Sequence, residues 1–311
     1  MKIDNIVTKR RRGYFRIGSN EYNIRESLTG IGFMLPVTIL ALVFVIIPIF
    51  VSIFFGFTNA NMGRLNNIQF IGLKNFIDVF SDSYIWPALK NTLYFVVVVV
   101  PLQFGLALCL ALLVNKIKVM NGLLRWAFFA PVMLSLAVTS FLWLNLLNPQ
   151  EGLINAILGF FGLGPSLFLQ DTKLAMPLII IISAWQGAGY QMLILLSGLK
   201  NIPKDLYEAA SIDRAGKLQQ FFHVTLPSLK PTIVFVLITM IIGAFRIMVQ
   251  PMIMTNGGPL NATLTMSLYI YRTCVTYKNV GYSSAIALLY TFVIATVSLT
   301  LRKVLGGDNE A

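Results

Sequence analysis

The 311 residues are 57% hydrophobic and only 12% charged, against about 25% charged in a water-soluble domain, so something other than water must solvate most of the chain. The net charge of +12 could signal nucleic acid, but the bases sit beside apolar runs, which suits an anionic membrane face. Cys109 and Cys274 lie far apart and Cys109 falls inside an apolar run, so no disulfide framework is implied.

Residues 1–30 form a polar, basic segment with the cluster Lys9-Arg10-Arg11-Arg12 and no signal-peptide core, so the first apolar run is expected to be a retained helix. Uncharged runs long enough to cross a bilayer follow at 31–55, 92–114, 126–147, 174–199 and 282–301, and a sixth, 232–254, is interrupted only by Arg246. Their continuous apolarity predicts helices, not the alternating strands of a barrel. Prolines 36, 48, 101, 131, 177 and 251 lie in or near these runs and mark candidate kinks.

Lys and Arg number seventeen on the side of residues 1–30, 115–125, 200–231 and the C-terminal end from Arg302 onward, against six in the loops 56–91, 148–173 and 255–281. The expected fold is an all-α integral membrane protein of six transmembrane helices with both termini cytoplasmic. Its helical domain covers 31–305, and 306–311 is a cytoplasmic tail.

The cytoplasmic loop 200–231 is the most informative stretch. Pro203 suits the first turn of a helix and Gly216 its stop. Between them Leu206, Ala209 and Ala210 share one small apolar face, with Asp205 and Glu208 on the other side. Leu226-Pro227 and Pro231 end the loop and restart a membrane helix. The residues alone permit two readings, a docking helix or an ordinary connector on the membrane surface.

The run Glu208-Ala209-Ala210, then Asp213 and Ala215, then Leu226-Pro227, resembles the signature loop of binding-protein-dependent ABC importer permeases, in their carbohydrate-uptake branch. Thr255-Asn256-Gly257-Gly258-Pro259 with Ser267 to Tyr271 is similar to the segment after the fifth helix of sugar permeases, and Phe76 to Asn91 to the one before the second. Where the family has glycine this chain has Arg214, with glycine two residues later at Gly216. The resemblance implies that Leu206, Glu208, Ala209, Ala210, Asp213, Gly216, Leu226 and Pro227 couple the chain to a cytoplasmic ATPase. It also implies a second, related permease chain, two ATPase subunits that bind the ATP and Mg, and an extracytoplasmic solute-binding protein. Membrane lipid is the remaining partner and nucleic acid is not expected.

Arg246 is costly within a span, and no carboxylate lies in any of the six runs to pair with it. A backbone carbonyl, a second permease subunit or the substrate could meet it, and the last would favour an acidic sugar. Gln250 lies on the same face, and Trp185, Gln186 and Tyr190 in the fourth run, with Asn145 in the third, are further pathway candidates. Helix packing by glycine is the plainer reading of the fourth run. Residues 158–164 are expected in an external loop that meets the solute-binding protein. His223, the single histidine, has no partners for a metal set or catalysis, and no cofactor is expected in this chain. No phosphate-binding Gly-x4-Gly-Lys-Ser/Thr loop is present. A secondary transporter would need an intramembrane acid or a broken-helix ion site, and a membrane enzyme would need clustered catalytic groups at one depth.

Overall fold

The computed structural model describes residues 14–17, 20–64, 67–117 and 121–305, so the basic cluster 9–12 and the tail 306–311 lie outside the described residues. The chain divides into two compact units, Met1–Phe55 and Gly56–Ala311. The first holds an antiparallel hairpin, β1 (Tyr14–Ile17) with β2 (Asn20–Asn23), in the register Tyr14 opposite Asn23 and Ile17 opposite Asn20. Outside this hairpin the described elements are helical; Tyr-Phe-Arg-Ile is rich in β-branched and aromatic residues, and no apolar helical stripe competes with pairing there.

Helix α1 (Ile24–Ala41) and helix α2 (Ile47–Gly56) are joined by a widened π turn, Leu42–Ile46. Pro48 supplies the cause, because it has no N–H to bond the Phe44 carbonyl and its ring crowds that group. The stretch Gly32–Gly56 has a mean hydropathy of 3.0, and its most apolar window buries no side chain. A helix apolar all round and uncovered is one that lipid or another chain must solvate.

The second unit runs through α3 (Lys74–Ser81), α4 (Ile85–Lys116), α5 (Asn121–Met133), α6 (Leu136–Leu146) and α7 (Leu153–Phe160). The long α8 (Ala175–Lys200) leads into the short helices α9 (Lys204–Ile212), α10 (Lys217–Gln220) and α11 (Leu226–Ser228). Then come α12 (Lys230–Phe245), α13 (Val249–Met254), α14 (Met266–Tyr271) and α15 (Val280–Leu305). Among the described residues five helical stretches are long and apolar enough to cross a membrane, and a sixth counts only if a bent pair is one span.

That pair lies where a single span is expected at 126–147, and it is bent. Helices α5 and α6 meet at 90°. Pro131 weakens the last turn of α5, and Ser135, extended at ψ 147, caps α6 by accepting the Val138 N–H at 3.2 Å. The run 232–254 breaks as well, at 246–248 between α12 and α13. Here Pro251 has no N–H to offer the Ile247 carbonyl, and the Thr265 hydroxyl takes that carbonyl instead at 2.9 Å. The Phe245 carbonyl is likewise met by the hydroxyls of Ser267 at 3.3 Å and Tyr290 at 2.5 Å. Polar backbone freed inside a membrane must be paired again in this way.

The core lies where α4 packs along α8, with Ala107, Ala111, Ala184 and Ala188 almost wholly buried. Small residues let helix backbones approach where lipid removes the hydrophobic driving force. At one end, Asn91 donates to the Asn261 and Leu264 carbonyls at 2.8 and 3.0 Å, and the Thr92 hydroxyl accepts the Met266 N–H at 3.0 Å. The Asp82 carboxylate accepts from the hydroxyls of Tyr269 and Tyr282 at 2.5 and 2.6 Å. Burial, reinforced by the Asp82 bond, pushes the Tyr269 phenol well above the ordinary tyrosine range, so it stays a donor. Two segments that resemble permease sequences, around residues 76–91 and 255–271, are therefore bonded to each other.

Candidate functional site

The loop after α8 is built as a braced pair of short helices. Pro203 precedes α9 at its N-cap, where the missing N–H costs nothing. Gly216 does not stop α9, as expected from the sequence, but caps α10 at its N-terminus, with Gln219 accepting its N–H at 2.8 Å. The stop is a turn about Arg214, which sits left-handed at φ 55. The Ala215 N–H returns to the Ala210 carbonyl at 2.9 Å and the Arg214 N–H to Ser211 at 3.1 Å. This is the Schellman pattern, and it explains why glycine would suit position 214. Arg214→Gly is expected to stabilise the turn by about 1 kcal/mol, read as a higher apparent melting temperature of the purified chain. A lower temperature would contradict the left-handed assignment.

Behind α9 the hydroxyls of Tyr207 and Thr225 lie 2.9 Å apart, and Gln220 donates to Ser211 and the Ala215 carbonyl at 3.1 and 3.2 Å. These bonds turn the rest of the loop outward. Leu206, Glu208, Ala209, Asp213, Gly216 and Pro227 are exposed, and Ala210 and Leu226 are half-buried. Sequence reasoning missed two larger apolar side chains beside them, Ile212 at 82% exposed and Leu218 at 73%. A bulky residue at the C-terminal end of a polar loop helix was the available signal.

The second site is a cavity of about 420 Å3 bordered by both helix breaks. That size falls within the roughly 300–1,000 Å3 of small-molecule pockets. Its lining brings Arg246, Gln186 and Gln250 together with Gln103, Ser183 and Gln191. Gln186, 5% exposed, donates to the Thr139 hydroxyl at 3.0 Å and to the Leu134 carbonyl at the first break at 3.2 Å. Gln250, 3% exposed, donates to the Gln186 amide oxygen at 3.4 Å and accepts from Ser183. Gln103 donates to Gln191 at 3.1 Å. Arg246 is exposed at the second break, and no carboxylate among the described residues lies within ion-pair distance of it.

Trp185, Tyr190 and Asn145 lie outside this lining. Trp185 meets Trp143 edge-on at 5.8 Å, and Tyr190 is exposed. Asn145 borders a different cavity, about 610 Å3, with Asn148, Gln170 and Asn256. Gln103 was missed, although a carboxamide two residues after Pro101 in an apolar run was a legible signal. The glycines of α8 serve packing. A Cβ at Gly189 would meet the Phe128 carbonyl at 2.3 Å, and one at Gly198 the Thr232 hydroxyl at 2.7 Å.

Helices broken and re-bonded around a polar cavity, with a braced loop of short helices after the fourth apolar stretch, define a membrane transport subunit. Residues 103–307 match the family of binding-protein-dependent transport system inner membrane components, and the chain belongs to that family. It is 36% identical over 284 residues to the probable ABC transporter permease protein YesP of Bacillus subtilis (strain 168), spanning 90% of this chain and 91% of that one. It is 32% identical to the arabinooligosaccharides transport system permease protein AraP of the same strain, spanning 88% and 87%. In fold it resembles a chain of a bacterial ABC transporter involved in the import of the acidic polysaccharide alginate. The TM-score is 0.81 at 22% identity, with 92% of this chain and 98% of that chain covered.

Proposed function

We propose that this chain is one of two membrane-spanning subunits of an ATP-driven importer for a sugar or oligosaccharide in a bacterial cytoplasmic membrane. The bent α5–α6 pair counts as one of six spans, and both termini face the cytoplasm. The Lys/Arg distribution supports that orientation, with seventeen bases on the terminal side and six on the other. The family's dependence on binding proteins implies an extracytoplasmic partner that delivers the solute. The saccharide substrate is supported by relatives such as the arabinooligosaccharide permease and by a cavity lined with carboxamides, which bond hydroxyls in both senses. The second permease is a related chain, and ATP and Mg belong to the two ATPase subunits.

The observation that carries the reading is the braced loop. It presents Leu206, Ala209, Ile212 and Leu218 outward while Tyr207 and Gln220 hold it rigid from behind. Alternating access needs a stiff link between a two-state motor and a two-state pore, and a helix braced to the segment that leads into α12 suits such a link. A cysteine placed at Ile212 in the reconstituted importer is expected to cross-link to the ATPase subunit, and uptake is expected to require ATP. Sugar uptake without nucleotide, or labelling of that cysteine from the outer side of the membrane, would remove the assignment.

A further inference from the structure

Arg246 is the one charged side chain in the lining of the cavity at the helix breaks, and every polar neighbour there is neutral. An unpaired guanidinium at membrane depth carries a solvation cost that neutral amides offset only in part. Its planar fork of donors matches the oxygens of a carboxylate, sulfonate or sulfate two at a time. The backbone that presents it is held by the Thr265, Ser267 and Tyr290 hydroxyls on the carbonyls at either side. The Gln103–Gln191 bond leaves the Gln103 amide oxygen and the Gln191 amide nitrogen without partners among the described residues. One side of the cavity therefore offers a fixed cation, and the other offers an acceptor and a donor suited to hydroxyls.

We propose that this cavity takes an anionic saccharide, with Arg246 holding the acidic substituent and Gln103 and Gln191 meeting ring hydroxyls. The inference rests on the importer reading and goes beyond it by naming the charge class of the cargo. In the competing arrangement a carboxylate of the second permease neutralises Arg246, and the charge of the sugar then has no bearing on passage.

The test uses the complete importer with its binding protein in proteoliposomes. Nucleotide-driven uptake of a uronate trisaccharide, a sulfated trisaccharide and a neutral trisaccharide is followed. Wild type is expected to take up an anionic sugar. Arg246→Gln is expected to lower that uptake at least about tenfold, and Arg246→Lys, which keeps the charge but not the fork, to lower it less. Any neutral uptake is expected to be unchanged in both variants. Equal loss of neutral and anionic uptake, or failure of Arg246→Gln to co-purify with the second permease, overturns the proposal in favour of inter-subunit pairing. Wild-type uptake of the neutral sugar alone also overturns it and leaves the importer reading intact. Absence of nucleotide-driven uptake for all three sugars removes the importer reading, and this inference with it.

Discussion

Glu208→Lys is expected to leave the chain inserted and folded while uncoupling ATP hydrolysis from uptake. Glu208 is exposed on α9, and no described hydrogen bond depends on its side chain, so the loop loses nothing internally. The bracing bonds of Tyr207 and Gln220 do not involve the Glu208 side chain and persist. A docking partner would feel the full change, because an attractive contact becomes a repulsive one at the edge of a cleft. A contact exposed at its rim is worth up to about 1 kcal/mol, whereas an uncompensated charge in a closed cleft costs about 3–5 kcal/mol. Docking should therefore weaken roughly tenfold to a thousandfold. The measurements are uptake and ATPase rate on one preparation, with insertion checked by membrane fractionation. Wild-type uptake by the variant would take α9 out of the coupling path.

Gly189→Ala is expected to be a severely damaging single-methyl change where α5 packs on α8. The new Cβ would lie 2.3 Å from the Phe128 carbonyl oxygen and 3.1 Å from the Phe129 Cα, so a whole helix backbone would have to move. Overpacking of this kind costs about 1–3 kcal/mol, and more where no side chain can rotate away. The displaced helix is α5, whose end carries the Leu134 carbonyl bonded by Gln186, so the cavity should distort with it. Gly187→Ala makes a useful contrast. Its Cβ would come equally close to the Gln103 amide, but that is the end of a flexible side chain and can swing aside. Thermal unfolding in detergent should thus separate the two variants, with Gly189→Ala several degrees lower and Gly187→Ala near wild type. Equal stability of both would mean that α5 does not rest on α8 at Gly189.

Much of the loop was legible because its determinants are local. Pro203 and the small residues of α9 carry their meaning in propensity and spacing, and most positions resembling the permease signature are exposed on the outward side of the braced loop. The left-handed residue was misplaced at Gly216 because glycine is the usual occupant of such turns, while here the Ala210 and Ser211 carbonyls draw the chain back at Arg214 instead. The cavity was only half legible. Arg246, Gln250 and Gln186 stood out as polar groups in apolar runs, but nothing in the sequence joined them to Gln103 across the bundle or separated them from Trp185, Tyr190 and Asn145.

The sequence by itself determined that this is a multi-pass helical membrane protein, where its apolar stretches lie and which loop carries the family signature. Those properties follow from run length, charge and short-range spacing. Prolines 131 and 251 marked candidate kinks, but only tertiary structure decided that the third and fifth runs break at 133–136 and 246–248, and that the breaks border one cavity with Arg246 in its wall. The reason is physical. In a run apolar on every side, the face against lipid and the face against another helix have the same chemistry, so no periodicity distinguishes them. Only the partners that take up each freed backbone carbonyl, here Gln186, Thr265, Ser267 and Tyr290, settle where a helix can stop inside the membrane.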